Sequence, residues 1–305
     1  MKCLVTGASG FIGRLLSQQL AQAGHELSLT SRSGADVVPG VPTIPADLLQ
    51  PSAATGLCQG VDVVFHLAGI AHQHAAAYDY QRLNVDASVA LAEAAMRSGV
   101  KTFVYLSSSR AALTEACASD HYGRSKASAE NVLAARVDPG VMRLVIVRPS
   151  LVYGADVKGN LALLARAVRA YLPLPPEKGQ RSMIGVHDLC RLLIKVAEAD
   201  TLSQQVLTVT DGESYSTRRI VAALRTANGR AGKGYTPPIW CWQFGARLLD
   251  LLRGEPAGTH FGKLFDDDIS DSNAAEAVRD WTPREIFEDA AKAIMEPRSR
   301  NEQAS

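Results

Sequence analysis

MKCLVTGASGFIGRLL, residues 1–16, joins a short apolar run to an amphipathic segment through a turn that holds three glycines. Residues 3–5, Cys-Leu-Val, predict a buried strand. The apolar positions that follow recur at helical spacing and predict a helix; they are Phe11, Ile12, Leu15, Leu16 and Leu20. The chain therefore begins with a strand, a glycine turn and a helix.

The spacing of Gly7, Gly10 and Gly13 indicates what this turn does. Glycine permits unusual backbone angles and lets a ligand approach the main chain closely. Free N–H groups at a helix N-terminus, together with the helix dipole, favour a bound phosphate. A packing turn that carries glycines by chance is the alternative, but the strand before and the helix after favour a dinucleotide pyrophosphate site.

Composition excludes several classes of protein. The 305 residues are 47% hydrophobic and carry a net charge of +1, so we expect a large core and neither a nucleic-acid-binding nor a membrane-binding surface. The five cysteines are scattered and odd in number, which argues against a disulfide framework and suits a reducing cytoplasm. Because residue 2 already enters a strand, we expect no signal peptide.

Alternating strand and helix patterns fill the first half of the chain. Apolar, β-branched runs begin at Leu27, Val61, Lys101 and Val141, with helical stretches between them. Repeated units of this kind predict an α/β fold with a doubly wound parallel sheet. We expect a dinucleotide-binding domain over residues 1–150 with a returning segment near 185–210. A smaller α/β substrate-binding region would occupy 151–295, and 296–305 would form a disordered tail.

The stretch YGRSK, residues 122–126, carries the predicted chemistry. Tyr122 and Lys126 are four residues apart and would share one face of a helix. A nearby ammonium favours the phenolate form of a tyrosine, which can then exchange a proton with an alcohol or a ketone. Ser108 follows the preceding strand and could bond the same substrate oxygen, although Ser107 or Ser109 could take its role. The alternative is a solvated Tyr-Lys pair.

These motifs together resemble a known family. TGASGFIG, HLAG, LNVDAS, VYLSSS, YGRSK, VRPSLVYG and VHDL occur in the order found in extended short-chain dehydrogenase/reductases of the UDP-glucose 4-epimerase-like branch. The resemblance runs from residue 1 to about 283. VYGADVKGN and the stretch from Arg181 to VHDL are most similar to bacterial UDP-4-keto-6-deoxy-N-acetylhexosamine reductases of surface polysaccharide synthesis. The implied fold is Rossmann-type.

The resemblance also implies roles for single residues. Ser108, Tyr122 and Lys126 would be catalytic, with Tyr122 and Lys126 also touching an NAD(P) cofactor. The remaining cofactor contacts implied are Gly7, Ser9, Gly10, Phe11, Ile12, Gly13, Ser31, Arg32, Asp47, Leu48, Leu67, Ala68, Gly69, Asn84, Pro149 and Val152. Ser108, Ser109 and Tyr122 would contact the sugar of the substrate. Asn160 and Arg181 would hold its diphosphate, because a guanidinium binds phosphate through two parallel hydrogen bonds.

Two departures from the family pattern affect the predicted specificity. NAD-dependent members carry an acidic residue after the second strand, where this chain has Ser31 and Arg32. Arg32 could pair with a 2′-phosphate, with Arg14 nearby, so we predict a preference for NADP(H); two surface arginines are the alternative. The segment from Arg110 to His121 is also short, which removes part of a substrate loop.

A metal site is not expected. His66 matches a usual strand-end residue of the family, while His72 and His74 fit a polar loop without accompanying carboxylates. The predicted function is NAD(P)-dependent reduction of a nucleotide-linked 4-keto sugar by a cytoplasmic homodimer. A nucleotide-sugar 4-epimerase, a reductase of another carbonyl compound and a non-catalytic NADP sensor remain alternatives.

Overall fold

The computed structural model describes residues 1–70, 77–113, 120–199, 202, 205–232, 234–254 and 256–296. The strands in these ranges are β1 (Lys2–Thr6), β2 (Glu26–Ser31), β3 (Thr43–Pro45), β4 (Val63–His66), β5 (Thr102–Leu106), β6 (Arg143–Pro149), β7 (Leu151–Tyr153), β8 (Arg181–Gly185), β9 (Val206–Val209) and β10 (Ser214–Tyr215). Seven of them form one parallel sheet in the order β3-β2-β1-β4-β5-β6-β9. The predicted fold class is confirmed.

Helices connect these strands. They are α1 (Phe11–Gln22), α2 (Pro51–Leu57), α3 (Ala77–Tyr80), α4 (Ala87–Arg97), α5 (His121–Arg136), α6 (Gly159–Arg169), α7 (Val186–Glu198), α8 (Thr217–Ala227), α9 (Ile239–Arg253), α10 (Thr259–Phe265), α11 (Ala274–Ala277) and α12 (Phe287–Met295). A π-helical segment, Gln81–Asp86, precedes α4, and a 3₁₀ turn, Ser109–Leu113, follows β5. None of the described helices is both long enough and apolar enough to cross a membrane.

Successive side chains along each strand point to opposite faces of the sheet, so a hydrophobic core forms on each face. In β1, Cys3 and Val5 pack with residues of α1 and α7, whereas Leu4 packs with residues of α4 and α5. Strand order reverses at β1, which lies between β2 and β4. Ligands of such sheets bind beyond the carboxyl ends of the strands at this reversal. The glycine turn that follows β1 lies there.

A second sheet, in the order β10-β8-β7, organises the later part of the chain. Tyr153, Tyr215 and Phe287 pack edge to face at its centre, and the hydroxyls of both tyrosines donate to the buried carboxylate of Asp211. Helices α6, α8 and α12 complete this core. Between the two parts, α7 and β9 return to the large sheet, and residues 297–305 lie outside the described ranges.

Candidate active site at the carboxyl edge of the parallel sheet

Close backbone approach explains the glycines after β1. A Cβ on Gly7 would lie 2.9 Å from the backbone nitrogen of Ala68, and Gly7 has a φ of +70°. A Cβ on Gly13 would overlap the carbonyl oxygen of Gly7 and approach the Cα of Ala8 to 3.0 Å. No side chain of the described residues caps the N-terminus of α1, so its N–H groups face the turn unshielded by a cap. This cradle fits a pyrophosphate.

Replacing Gly13 with alanine should lower both stability and dinucleotide affinity. The new methyl meets backbone atoms, which cannot swing away as a side chain could, so we expect a loss of about 1–3 kcal/mol in the free energy of unfolding. Gly56→Ala is the matched control, because a Cβ at Gly56 would have no atom within 4 Å and the φ of Gly56 is ordinary. Thermal unfolding of both variants checks the difference; an unchanged melting temperature for Gly13→Ala would contradict it.

The end of β2 presents a hydroxyl and a cation. Ser31 is buried, and its Oγ accepts a hydrogen bond of 3.1 Å from the backbone N–H of Gly34. Arg32 is exposed and makes no hydrogen bond or ion pair with any residue that the structure describes. Arg14 on α1 is also exposed. The guanidinium of Arg32 is therefore available to an anion at the strand end.

The other predicted cofactor residues lie along the same edge or close to it. Leu67 and Ala68 follow β4, and their N–H groups donate to the carbonyl and hydroxyl oxygens of Thr6. Asp47 is exposed after β3, whereas Leu48 packs against the core. Pro149 ends β6 and Val152 lies in β7, next to Ile184. Ser9, Gly10, Phe11 and Ile12 form the turn and the start of α1.

The tyrosine of YGRSK is held by the cap of α5. Asp120 is the N-cap residue; its side chain accepts from the N–H of Gly123 at 3.0 Å and from Nε of Arg110 at 2.6 Å. A Cβ on Gly123 would lie 2.8 Å from the carbonyl oxygen of Arg110, so this glycine lets the 3₁₀ turn pack directly on α5. Tyr122 is thereby fixed in the first turn of α5.

The side chain of Ser108 lies close enough to the phenol of Tyr122 to influence its pKa. Desolvation raises the pKa of Tyr122 to about 12, while the nearby Ser108 hydroxyl acts in the opposite direction. Ser107 is instead turned away, and its hydroxyl donates to Glu130. Ser109 is buried at the start of the 3₁₀ turn. Of the three adjacent serines, Ser108 is therefore the one placed to align a proton held by the phenol of Tyr122.

Lys126 lies one turn further along α5 and is buried. Its Nζ donates to the carbonyl oxygen of Leu106 at 2.8 Å and lies 4.6 Å from the ring centroid of Tyr105. Desolvation lowers the pKa of Lys126 to about 8, and the charge of Glu130 partly opposes this shift. The folded protein thus keeps a buried ammonium one turn along α5 from Tyr122, in a poorly solvated position.

We expect Lys126→Met to raise the melting temperature of the cofactor-free protein at pH 7. The folded-state pKa of about 8 lies below the ordinary 10.5, so the unfolded state binds the proton more tightly and the buried ammonium costs stability at neutral pH. That cost falls as the pH rises from 8 to 10.5. Thermal unfolding of wild type and variant across this range should show the gap closing; a gap independent of pH would contradict the argument.

The charge of Lys126 is influenced by a buried ion pair between Glu130 and Arg148, which the sequence analysis did not predict. Glu130 follows Lys126 by four residues on the same face of α5, and its carboxylate binds Arg148 of β6 through two nitrogens and also accepts from Ser107. This hydrogen bonding to Glu130 raises the pKa of Arg148. The sequence does contain a signal for Glu130. Tyr122, Lys126 and Glu130 follow one another at four-residue spacing and therefore share one face of α5.

Asn84 connects the site to the sheet rather than opening toward a ligand. It is fully buried; Oδ1 accepts from the N–H of Ile70 at 2.8 Å, and Nδ2 donates to the Ile70 carbonyl and to Ser125 Oγ. Ser125 in turn donates to the carbonyl oxygen of Tyr122. The amide of Asn84 therefore positions α5 relative to the end of β4, and its role as a cofactor contact stays a prediction.

His66, at the end of β4, belongs to a buried chain of hydrogen bonds. Its ring nitrogens bond Thr6 at 2.7 Å and Ser88 at 2.8 Å, and Ser88 donates to the carbonyl oxygen of Asn84. Burial lowers the pKa of His66 to about 3, with a smaller contribution from Lys126. This histidine is neutral and structural. Within the described residues no group of three histidines, cysteines or carboxylates is placed to hold a metal ion, and His72 and His74 lie outside them.

The two predicted diphosphate ligands lie in different settings. Asn160 is exposed in the first turn of α6, a helix with no acidic residue in that turn and no side-chain cap from the described residues. Arg181 begins β8, and its terminal nitrogens donate to Thr217 Oγ1 and to the carbonyls of Lys263 and Leu264 at the end of α10. Its Nε is buried without a partner in the described structure. Burial lowers the pKa of Arg181.

A comparison with known protein families shows to which family this chain belongs. The sequence model described as the NAD dependent epimerase/dehydratase family matches residues 3–209, about two thirds of the chain. The chain belongs to this family. The match spans β1 to β9, so it includes the glycine turn, Ser108, Tyr122 and Lys126. The coarser part of the predicted resemblance is confirmed, and its narrower branch is taken up below.

Characterised relatives of this epimerase/dehydratase chain differ in chemistry. A UDP-glucose 4-epimerase of Vibrio cholerae is 28% identical, over 97% of this chain and 96% of that protein. A ceramide reductase of Caulobacter vibrioides is 30% identical, over 71% of this chain and 67% of that protein. A 2-alkyl-3-oxoalkanoate reductase of Stenotrophomonas maltophilia is 29% identical, over 86% and 88%.

Solved structures share the fold along nearly the whole chain. UDP-glucose 4-epimerase of Thermotoga maritima, solved with UDP-glucose, has a TM-score of 0.75 at 18% identity, covering 97% of both chains. UDP-glucuronic acid 4-epimerase of Bacillus cereus, solved with NAD, has a TM-score of 0.74 at 20% identity, covering 97% of this chain and 96% of that one. At these identities the likeness establishes the fold alone.

Proposed function

We propose that this protein reduces a nucleotide-linked 4-keto sugar, of the UDP-4-keto-6-deoxy-N-acetylhexosamine type, with NAD(P)H. The observation that carries the proposal is the placement of Ser108 beside the phenol of Tyr122, with the buried ammonium of Lys126 one helical turn along α5. This is the arrangement that an acid–base tyrosine needs, because its proton is aligned by the serine and its charge is balanced by the lysine. The physiological setting proposed is bacterial surface polysaccharide synthesis.

The cradle after β1 fits a dinucleotide, because the N-terminus of α1 has no side-chain cap and Gly7 and Gly13 let the backbone pack closely around it. When bound there, the reduced nicotinamide supplies a hydride. Gly7, Gly10 and Gly13 would hold the pyrophosphate, and Lys126 would bind the ribose next to it. Similar proteins of known structure, such as the Bacillus cereus epimerase, were solved with NAD, which supports this assignment.

Tyr122 would give its proton to the carbonyl oxygen as C4 of the sugar becomes reduced. Because the pKa of Tyr122 is raised to about 12, the phenol is protonated at neutral pH and ready to donate. Ser108 would donate to the same carbonyl oxygen and orient it. The balanced outcome is that the ketone gains a hydride and a proton and becomes a secondary alcohol, while the tyrosine is left as a phenolate that Lys126 stabilises.

The substrate diphosphate would lie between α6 and β8. The uncapped N-terminus of α6 next to Asn160 offers free N–H groups and the positive end of a helix dipole. The unpartnered Nε of Arg181 is a donor that still requires an acceptor. Moving the carbonyls of Lys263 and Leu264 away would free its terminal nitrogens as well. Ser109 would contribute from the 3₁₀ turn.

A nucleotide-sugar 4-epimerase is the second candidate, favoured by the Vibrio cholerae relative that covers almost the whole chain. Its first step takes a proton from the 4-hydroxyl, which requires Tyr122 as phenolate rather than phenol. An epimerase also retains its cofactor through oxidation and re-reduction, which a tight anchor on the adenosine ribose serves. Here the end of β2 offers Ser31 and Arg32 in place of an acidic anchor, which favours exchange of cofactor at each turnover.

Cofactor consumption separates the two reactions. Purified protein is mixed with NADPH and a UDP-4-keto-6-deoxy-N-acetylhexosamine, and the absorbance of the reduced nicotinamide is followed. A reductase should consume one equivalent of NADPH per alcohol formed. Conversion of UDP-N-acetylglucosamine or UDP-glucose to its 4-epimer, with no added cofactor consumed, would instead establish the epimerase. The homodimer and the cytoplasmic location predicted from the sequence remain predictions.

A further inference from the structure

Helix α9 has its apolar side facing solvent. Of its fifteen residues, Trp240, Phe244, Leu251 and Leu252 are between 65% and 77% exposed. The buried residues are Ala246 and Asp250. At about 100° per residue, these two lie on the side of the helix opposite Phe244. A helix on the surface of a globular protein normally has the reverse arrangement, with its large apolar residues inward.

The inward side of α9 is held by polar contacts that do not need the apolar residues. The carboxylate of Asp250 accepts from the N–H of Gly258 at 2.7 Å and from that of His260 at 2.9 Å, and it pairs with the His260 ring at 2.5 Å. Trp242 packs edge to face on Phe265 of α10. The helix is therefore anchored by contacts that do not involve its most exposed apolar residues.

The exposed apolar residues of α9 form one continuous surface. Trp240, Phe244 and Leu248 follow one another at i, i+4 and i+8, and Leu251 and Leu252 extend the same side. Tyr235, just ahead of the helix, is 74% exposed. We call this group, Tyr235, Trp240, Phe244, Leu248, Leu251 and Leu252, the α9 face. A continuous exposed apolar surface of this kind marks an interaction site.

The charges of α9 indicate which kind of partner fits the α9 face. Arg247 and Arg253 are exposed and have no ion-pair partner among the described residues. Asp250 is the only acidic residue of the helix, and it is buried. Packing the α9 face against that of a second copy would therefore bring Arg247 of each helix to the contact without an exposed carboxylate from either helix. An anionic surface matches this charge instead.

We propose that α9 lies in the surface of an anionic phospholipid bilayer, with the α9 face in the acyl region and Arg247, which lies beside that face on the helix, at the lipid phosphates. Interfacial helices combine Trp, Phe and Leu on one side with Arg or Lys beside them, as α9 does. Aromatic residues concentrate at the headgroup level, which is where Trp240 and Tyr235 would lie at the N-terminal end. The helix lies on the membrane and does not span it.

Vesicle co-sedimentation of the full-length protein tests the proposal. Vesicles of phosphatidylcholine with phosphatidylglycerol should bind the protein, and vesicles of phosphatidylcholine alone should bind it more weakly. Phe244→Glu/Leu251→Glu should reduce binding by at least about a hundredfold. Arg247→Gln should reduce binding to the anionic vesicles by about fivefold, which is the contribution of one arginine near an anionic surface.

Val141→Glu is the matched control, because Val141 is a half-exposed apolar residue before β6 and outside the α9 face. Circular dichroism verifies that each variant is folded. Failure of wild type to bind the anionic vesicles, or binding that survives Phe244→Glu/Leu251→Glu, would overturn the proposal. So would equal binding to both vesicle types. A smaller sedimenting mass of Phe244→Glu/Leu251→Glu without vesicles would assign the α9 face to a second copy and overturn it as well.

Discussion

Tyr122→Phe should reduce kcat by about 10²–10⁴-fold, the range expected when a positioned proton donor is lost. The substitution removes only the phenol hydroxyl, beside which Ser108 lies, and leaves the ring in the first turn of α5. The cradle for the dinucleotide is formed by other residues, so its affinity should persist. Initial-rate assays with the 4-keto sugar measure the rate, and fluorescence titration with NADPH measures the affinity.

Tyr78→Phe is the control for this experiment. Tyr78 is an exposed tyrosine of α3, and the same hydroxyl loss there should leave the rate unchanged. Ser108→Ala should also slow the reaction, but less than Tyr122→Phe, because Ser108 orients the carbonyl oxygen and does not supply the proton. If Tyr122→Phe keeps more than half of the wild-type rate, Tyr122 is not the proton donor.

The large sheet could be predicted because its signals are local. Each of the main strands is a buried, β-branched run, and the glycine turn fixes where the first crossover begins. The repeated strand–helix units predict parallel strands, because a helix between two strands returns the chain to the same edge of the sheet. The short strands β3, β7 and β10 were not predicted, because two or three residues carry too little periodicity, and β8 was not predicted because it begins in a stretch rich in Gly, Pro and charge. Their pairing depends on neighbours far along the chain, as in the contact of Tyr215 with Arg181.

In the candidate site too, some contacts follow from local sequence spacing and others arise only when distant elements meet. Tyr122 and Lys126 share a helix, so their four-residue spacing already places them together. The contacts around them join separate elements: Asn84 reaches Ser125 across 41 residues, and Arg148 reaches Glu130 from the next strand. Only the fold brings those groups into contact, and a sequence pattern does not reveal which buried polar groups will pair. The functions of Asn84 and Glu130 in positioning α5 are therefore structural findings.

The net charge of the chain gave no indication of the α9 face. A value of +1 for the whole chain predicts no membrane contact, yet an interfacial helix depends on the arrangement of a few residues. The pattern of α9 is amphipathic, and in sequence alone its apolar side would be assigned to the core. The structure reverses that assignment, because Asp250 faces inward and is paired with His260. Burial of one carboxylate decides which side of the helix meets solvent.

We expect NADPH to bind about ten- to a hundredfold more tightly than NADH. Arg32 follows β2 at the edge where the adenosine ribose of a dinucleotide would lie, and it is exposed with no partner among the described residues. A charge-assisted contact with a 2′-phosphate is worth roughly 1.5–3 kcal/mol. Ser31 could add a hydroxyl donor beside it. An acidic residue at the end of β2 would repel the 2′-phosphate, but positions 31 and 32 hold a serine and an arginine.

Arg32→Gln should therefore remove most of the preference by weakening NADPH while leaving NADH nearly unchanged. Arg97→Gln is the matched control: Arg97 is also exposed, but it lies in the last turn of α4, at the opposite edge of the sheet from the cradle. Calorimetric titration of each protein with both dinucleotides gives the four dissociation constants. Equal constants for NADPH and NADH in the wild type would mean that Arg32 does not reach the ribose. A preference that survives Arg32→Gln would move the phosphate contact to Arg14, the other exposed arginine beside the turn.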